Sequence, residues 1–233
     1  MELRVEGVRK RFGASLALDR VDLTIAAGTH VLLAGANGAG KTTLLRLLAG
    51  LTGPTEGRIR LDGDDPRRSR ARRCRLGLLS HQTLLYDDLT AAENLAFFAN
   101  LYGASPAAPE VALERVGLSA QARSRVGGFS RGMKQRLALA RATLHEPEVL
   151  LLDEPFTGLD RRSSRALSTH LMRRAESRQT TSVLVTHKVE EAAELANRVV
   201  VLRSGLVACD ESWSGDGIAL QALCDAHQEG AAS

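Results

Sequence analysis

The chain has 233 residues, with 31 Lys and Arg against 27 Asp and Glu and a formal net charge of +4. At roughly 150 residues per domain this is one globular body with room for a subdomain, long enough to bury a core without disulfide or metal staples. A 44% hydrophobic and 25% charged composition excludes a disordered or fibrous chain, and the scarcity of aromatics argues against stacking platforms for single-stranded nucleic acid.

Met1 is followed by the alternating Glu2-Leu3-Arg4-Val5-Glu6, with no basic start and apolar run of a secretory signal. No apolar stretch reaches the roughly 18 to 20 residues that span a bilayer, so any membrane span is expected from another chain. Leu3 to Val8 and Val21 to Ile25 alternate like half-buried antiparallel strands, and Val31 to Ala34 reads as a fully buried strand. A glycine-rich loop and a helix from Lys41 to Leu48 follow. Further strands are expected at Arg58 to Leu61, Leu76 to Leu79, Val149 to Leu152, Ser182 to Val185 and Val199 to Leu202. Continuous apolar runs alternating with helices imply a mostly parallel sheet covered on both faces.

Between Thr90 and Leu144 helix signals replace strand signals. Thr90 and Glu93 form a capping box, Leu95, Phe98 and Tyr102 follow at helical spacing, and Gly103 stops the helix. A second helix starts after Ser130, with Met133, Leu137, Ala140 and Leu144 on one face. This reads as a helical subdomain inserted into an α/β core. The tail from Asp210 is polar, with one weak amphipathic stretch around Ile218 to Leu223. Cys74, Cys209 and Cys224 follow neither a CxxC nor a His-matched spacing, so neither a disulfide framework nor a zinc site is indicated. A reducing compartment fits that pattern.

Gly35, Ala36, Asn37, Gly38, Ala39, Gly40, Lys41 and Thr42 fit the phosphate-loop pattern GxxxxGK followed by Ser or Thr, in the required strand-to-helix context. Glycines let the backbone turn its N–H groups inward, the helix N-terminus adds positive partial charge, Lys41 reaches terminal phosphates and the Thr42 hydroxyl can ligate Mg²⁺. Thr43 continues the same nucleotide-binding segment. Leu150-Leu151-Leu152-Asp153-Glu154 is a buried strand ending in two carboxylates. Asp153 is placed to hold the magnesium shell, and Glu154 points to where water would attack a γ-phosphate.

With these motifs in order, residues 1 to 210 resemble the nucleotide-binding subunit of ATP-binding cassette (ABC) transporters. The fold this implies is α/β: a P-loop NTPase (ABC ATPase) core with an N-terminal antiparallel β subdomain and an inserted helical subdomain. The core would take about residues 1–85 and 145–210, the helical subdomain 86–144 and a C-terminal tail 211–233. By the resemblance Phe12 stacks on adenine, and Gln82 contacts Mg²⁺ and the attacking water. Phe129-Ser130-Arg131-Gly132-Met133 stands where the family has its LSGGQ-type signature. Ser130 and Gly132 are kept for a second phosphate contact, whereas Arg131 and Met133 depart from the usual glycine and glutamine. Gly158-Leu159-Asp160 resembles the dimer-contact loop, and His187 matches the γ-phosphate switch histidine. Taken alone, the aromatic could be a packing residue at a strand end, and Gln82 and His187 ordinary surface residues.

The resemblance further implies ATP and Mg²⁺ as cofactors and a head-to-tail dimer, with ATP between Lys41 of one copy and Ser130 of the other. It also implies an integral membrane permease partner and a cytoplasmic, peripheral location on the inner face of the cell membrane. The stretch from Gly77 to Leu95 is worded like the ATPase subunit of the haem exporter of cytochrome c biogenesis (CcmA type). Export of haem is therefore the expectation. An ATPase of an ABC-2-type drug, lipid or polysaccharide exporter is the alternative, since such proteins share the Ser-Arg-Gly-Met signature. A soluble ABC ATPase acting on nucleic acid is a third reading, to which the Arg67, Arg68, Arg70, Arg72, Arg73 and Arg75 cluster could contribute. Asp62, Asp64 and Asp65 offset that cluster, and no nucleic-acid partner is expected.

Overall fold

A computed structural model of the chain describes residues 1–80, 82–158, 164, 167–169, 171–172 and 180–229, the side chains of 190, 191, 228 and 229 excepted. Strands β1 (Leu3–Phe12) and β2 (Ser15–Ile25) pair as an antiparallel hairpin. Its turn contains Gly13, whose φ of 57° lies in the left-handed region open to glycine. Leu3 and Val5 of β1 and Val21, Leu23 and Ile25 of β2 are buried, the period-two alternation of a one-sided sheet, and Val8 is buried beyond a register shift after Val5. Both strands run further toward the turn than the apolar alternation alone marks, because backbone pairing continues where the side chains turn polar. Strand β4 (Glu56–Leu61) joins the other edge of β1, giving the order β2-β1-β4.

Among the described residues the second sheet has six strands. These are β3 (His30–Ala34), β5 (Leu76–Leu79), β6 (Val149–Asp153), β7 (Thr181–Val185), β8 (Arg198–Arg203) and β9 (Leu206–Ser212). Their order is β5-β6-β7-β3-β8-β9, with only β9 antiparallel to its neighbour. Alternate residues serve opposite faces. Val31 and Leu33 of β3, Val149 and Leu151 of β6 and Val200 and Leu202 of β8 pack toward the antiparallel sheet, together with helix α1 (Lys41–Leu48). Leu32, Leu150, Leu152, Val199 and Val201 pack on the other face. Coverage on both sides is why these strands are written as unbroken apolar runs.

A third apolar cluster holds helices α3 (Ala91–Tyr102), α4 (Ala108–Arg115) and the outer face of α5 (Arg131–Thr143). The Thr90 capping box forms as the sequence suggests: Thr90 Oγ1 accepts from the Glu93 N–H at 3.2 Å, and Glu93 Oε2 accepts from the Thr90 N–H at 2.8 Å. The Thr90 N–H and the Thr90 hydroxyl, both donating to Glu93 Oε2 at 2.8 Å, hold the Glu93 carboxyl below its ordinary pKa. Gly103 ends α3 at φ 68°. Helix α5 faces two ways, with Leu137, Ala140 and Leu144 just beyond its end in the helical cluster, and Ala138, Leu139 and Ala142 on the sheet. Arg141 fastens the two parts: Nη2 donates to Leu78 O at 2.6 Å and the guanidinium lies over the Phe98 ring, 5.3 Å from its centroid.

Beyond β8 the chain is more ordered than its polar composition suggests. Strand β9 is followed by helix α7 (Gly217–Glu229), in which Leu220 and Cys224 are fully buried on the sheet, near helix α6 (Val189–Ala193). The two residues are four apart, so one helical face is enough to dock it. No helix among the described residues is long and apolar enough to cross a membrane.

Candidate functional site

Three adjacent strands, β6, β7 and β3, deliver the chemistry from their carboxyl ends, where open α/β sheets bind ligands. Asp153 ends β6, Thr186 and His187 follow β7, and the loop Gly35–Gly40 follows β3. The loop can only be built with glycine at its ends. A Cβ on Gly35 would sit 2.2 Å from Leu202 O, and one on Gly40, whose φ is 106°, would sit 2.6 Å from Ala17 O. Gly40 is also the N-cap of α1 and offers no side-chain cap. The first N–H groups of that helix, Lys41, Thr42 and Thr43 among them, therefore lack a capping partner from it and face the loop's mouth as an anion site.

Lys41 is only 8% exposed, and its Nζ donates to the carbonyls of Gly35 at 2.6 Å and Ala36 at 2.9 Å. Burial lowers its pKa, opposed by the nearby Glu154 and Asp153 carboxylates. The ammonium is thus stored inside the loop next to both acids. Thr42 Oγ1 donates to Asp153 Oδ2 at 3.1 Å. A hydroxyl and a carboxylate converging in this way form the start of an oxygen cage for a hard divalent cation.

Glu154 adopts φ 53°, a conformation rarely taken by a residue with a side chain. It is held there by its own N–H donating to Val185 O at 2.8 Å and by α5, whose Gln135 Nε2 donates to Glu154 O at 3.3 Å and Pro155 O at 3.2 Å. The twist turns its carboxylate to His187: the His187 N–H donates to Oε2 at 3.3 Å and Nε2 lies 3.5 Å from Oε1. Nothing in the local sequence marks Gln135 except that it is a polar residue on an otherwise buried stretch of α5.

Phe12, Thr42, Ser80, Gln82, Asp153 and Glu154 line one cleft. Phe12 is 52% exposed at the end of β1, with Lys10 Nζ 4.9 Å from its ring centroid. Gln82 is exposed, and its carbonyl accepts from the Ser80 hydroxyl at 2.6 Å. Ser130 and Gly132 are not among the residues lining this cleft. Ser130 instead caps α5, its Oγ accepting from the Met133 N–H at 3.2 Å. Gly132 lies against the backbone of Gly158, where a Cβ would be 2.9 Å from Gly158 O, and Arg131 lies over Gly158. Asp160 falls outside the described residues, as do His81 and Leu159.

Several arginines of the cluster around α2 (Arg70–Arg73) are turned onto neighbouring acids, while Arg73 donates to the Pro66 and Arg67 carbonyls. Arg67 meets Asp65 at 2.9 Å, Arg72 meets Asp64 at 2.9 Å and Asp62 at 3.3 Å, and Arg75 pairs with Glu148.

The ABC transporter family model matches residues 18–157. The chain is 40% identical over 215 residues to the sulfate/thiosulfate import ATP-binding protein CysA of Methylococcus capsulatus, covering 89% of this chain and 62% of that protein. It is 39% identical over 225 residues to CysA of Escherichia coli K12, covering 91% and 62%. The chain thus spans about three fifths of the length of these relatives. Among solved structures, the ATP-binding subunit of an ABC transporter superposes with a TM-score of 0.87 at 27% identity, covering 97% of this chain and all of that one. The cassette MJ0796, in a dimeric post-hydrolysis state bound to ADP and Pi, gives 0.83 at 27% identity over 91% and 99%. The chain belongs to the ABC transporter family, and its fold is the ABC ATPase fold expected from the motifs. The haem-export expectation is overturned, together with the drug, lipid or polysaccharide exporter alternative, because these relatives are named for import of sulfate and thiosulfate. The stretch that suggested haem export includes the buried Leu79, Ala91, Asn94 and Leu95, so much of its wording serves packing and is a poor guide to what is carried.

Proposed function

We propose that this member of the ABC transporter family is the ATP-hydrolysing subunit of an importer, working as a dimer on a membrane-embedded partner. The observation that carries the motor reading is the convergence of Thr42, Asp153 and Glu154 beside Lys41 and His187 at the ends of three neighbouring strands. In this reading the backbone from Gly35 to Thr43 and the Lys41 ammonium hold the phosphates of ATP, and Phe12 packs on the adenine. Thr42 and Asp153 hold Mg²⁺, with Gln82 in reach on the same cleft wall. A divalent cation held there would neutralise negative charge on the phosphates. Glu154 orients and polarises a water whose oxygen attacks the γ-phosphorus as the bond to the bridging oxygen breaks and ADP leaves. His187 steadies both the Glu154 carboxylate and the γ-phosphate.

Ser130 and Gly132 stand apart from the cleft, which supports their serving a second copy, with the Ser130 hydroxyl and the α5 N-terminus meeting the partner's γ-phosphate. Asp160 is assigned to the same dimer contact on the motif alone. The dimeric MJ0796 relatives support this arrangement. A location on the inner face of the membrane follows from the permease partner. The relatives' names make sulfate and thiosulfate the solutes to test first.

Reconstitution with the membrane partner in vesicles tests the reading, with labelled sulfate or thiosulfate outside and phosphate release followed inside. ATP-dependent uptake is expected. Partner-stimulated phosphate release without uptake of either anion would reject the solute, and no phosphate release at all would reject the motor.

A further inference from the structure

Strand β9 and helix α7 place three metal-ligating residue types, Cys, Glu and His, against each other, far along the chain from the nucleotide loop. Cys209 and Glu211 are two apart on β9 and so share one face of the strand. Asp210 between them points away and is bound by Arg198 through both carboxylate oxygens at 2.7 Å. Cys224 and His227 are three apart on α7 and share one face of the helix. The fold lays these faces together: a ligand atom from each of Cys209, Glu211 and His227 lies within 4.8 Å of the other two. Cys224 is buried in the same apolar cluster as Cys209. Cys209 is buried, His227 is half-buried and Glu211 is open to solvent, so an ion has an entry path.

We propose that Cys209, Glu211 and His227 form a three-residue site for a borderline-soft divalent metal such as zinc, with water completing the coordination. Sulfur, imidazole nitrogen and one carboxylate oxygen suit zinc or cobalt, whereas Mg²⁺ and Ca²⁺ take oxygen ligands. The separation of the ligands, two on a strand and one on a helix, matches no familiar metal-binding spacing, which is why the sequence alone does not signal it. A metal here ties α7 to β9 and so fixes the C-terminal helix on the back of the sheet, a structural role separate from nucleotide chemistry.

The test is a Co²⁺ titration of the full chain, purified under reducing conditions after chelator treatment and without nucleotide. Wild type is expected to take up one equivalent with thiolate-to-cobalt charge-transfer absorption and tetrahedral visible bands, both displaced by Zn²⁺. The oxygen-only Thr42 and Asp153 pair cannot produce a thiolate band. His227→Gln and Glu211→Gln, whose side chains reach solvent, should keep the fold by circular dichroism. They should weaken uptake by at least the ~10- to 100-fold that losing even an outer partner costs. Cys209→Ser should abolish the charge-transfer band. Absence of that band in wild type, equal affinity in wild type and His227→Gln, or a Cys209–Cys224 disulfide in the reduced preparation would each overturn the proposal.

Discussion

Glu154 and His187 meet from the ends of adjacent strands, the His187 N–H donating to Glu154 Oε2 at 3.3 Å while its Nε2 stands 3.5 Å from Oε1. The contact exists because Glu154 is twisted to φ 53°, which swings its carboxylate off the line of β6 and toward β7. An acid held in this way can orient water while Asp153, which accepts from the Thr42 hydroxyl at 3.1 Å, is left for the cation proposed above.

Glu154→Gln keeps the size and hydrogen-bonding reach of the side chain but removes its charge. Phosphate release is expected to fall by about 10² to 10⁴, the usual contribution of a positioned base, with ATP affinity preserved. Turnover near the wild-type rate would remove Glu154 from the role proposed.

Lys41→Ala leaves the loop without its cation. Charged hydrogen bonds contribute about 1.5 to 3 kcal/mol each, so equilibrium titration should show ATP affinity weakened by roughly 10- to 100-fold, with ADP affected less. Equal affinities for mutant and wild type would mean that the backbone alone holds the phosphates.

Gln135→Leu tests the brace behind the site. The substitution deprives the Glu154 and Pro155 carbonyls of a buried donor, a loss of about 1 to 3 kcal/mol. The melting temperature should drop by a few degrees, and phosphate release should fall more than ATP affinity, because the brace fixes the Glu154 turn. If neither stability nor turnover changes, the contact is incidental.

Burial pushes the Cys209 and Cys224 thiols up to about 11 from an ordinary value near 9. In the metal-free chain at pH 8 both are protonated and enclosed, so with excess alkylating reagent only Cys74 should react, and mass spectrometry of peptides reads this directly. A raised folded-state value stabilises the fold below the ordinary pKa and ceases to do so as pH climbs through the folded value. Stability should therefore decline between about pH 9 and 11, and a Cys209→Ala, Cys224→Ala double variant should show a shallower decline in that window. Rapid labelling of all three thiols at pH 8 would contradict the burial.

The parallel strands were legible because each had to be apolar on both faces, and the Thr90 helix because its cap is a local hydrogen-bond pattern. The glycine loop was legible because Gly35 and Gly40 sit where any Cβ would collide with the backbone of β8 or β2. Helix α7 was only half-visible: its apolar residues do not fall on one face, with Leu220 and Cys224 buried on the sheet while Ile218 is 79% exposed.

What the sequence by itself determined is therefore everything encoded in neighbouring residues: the sheet's apolar runs, the caps, the phosphate loop and the paired acids after β6. Only the tertiary structure decided the strand order that brings His187 to Glu154, the brace from Gln135, the storage of Lys41 on its own loop and the meeting of β9 with α7. Those relations join residues between five and tens of positions apart, and they depend on which strands become neighbours and how a helix lies across them. Spacing along a chain carries no such information, because a contact between distant residues is set by packing and not by the residues that flank them.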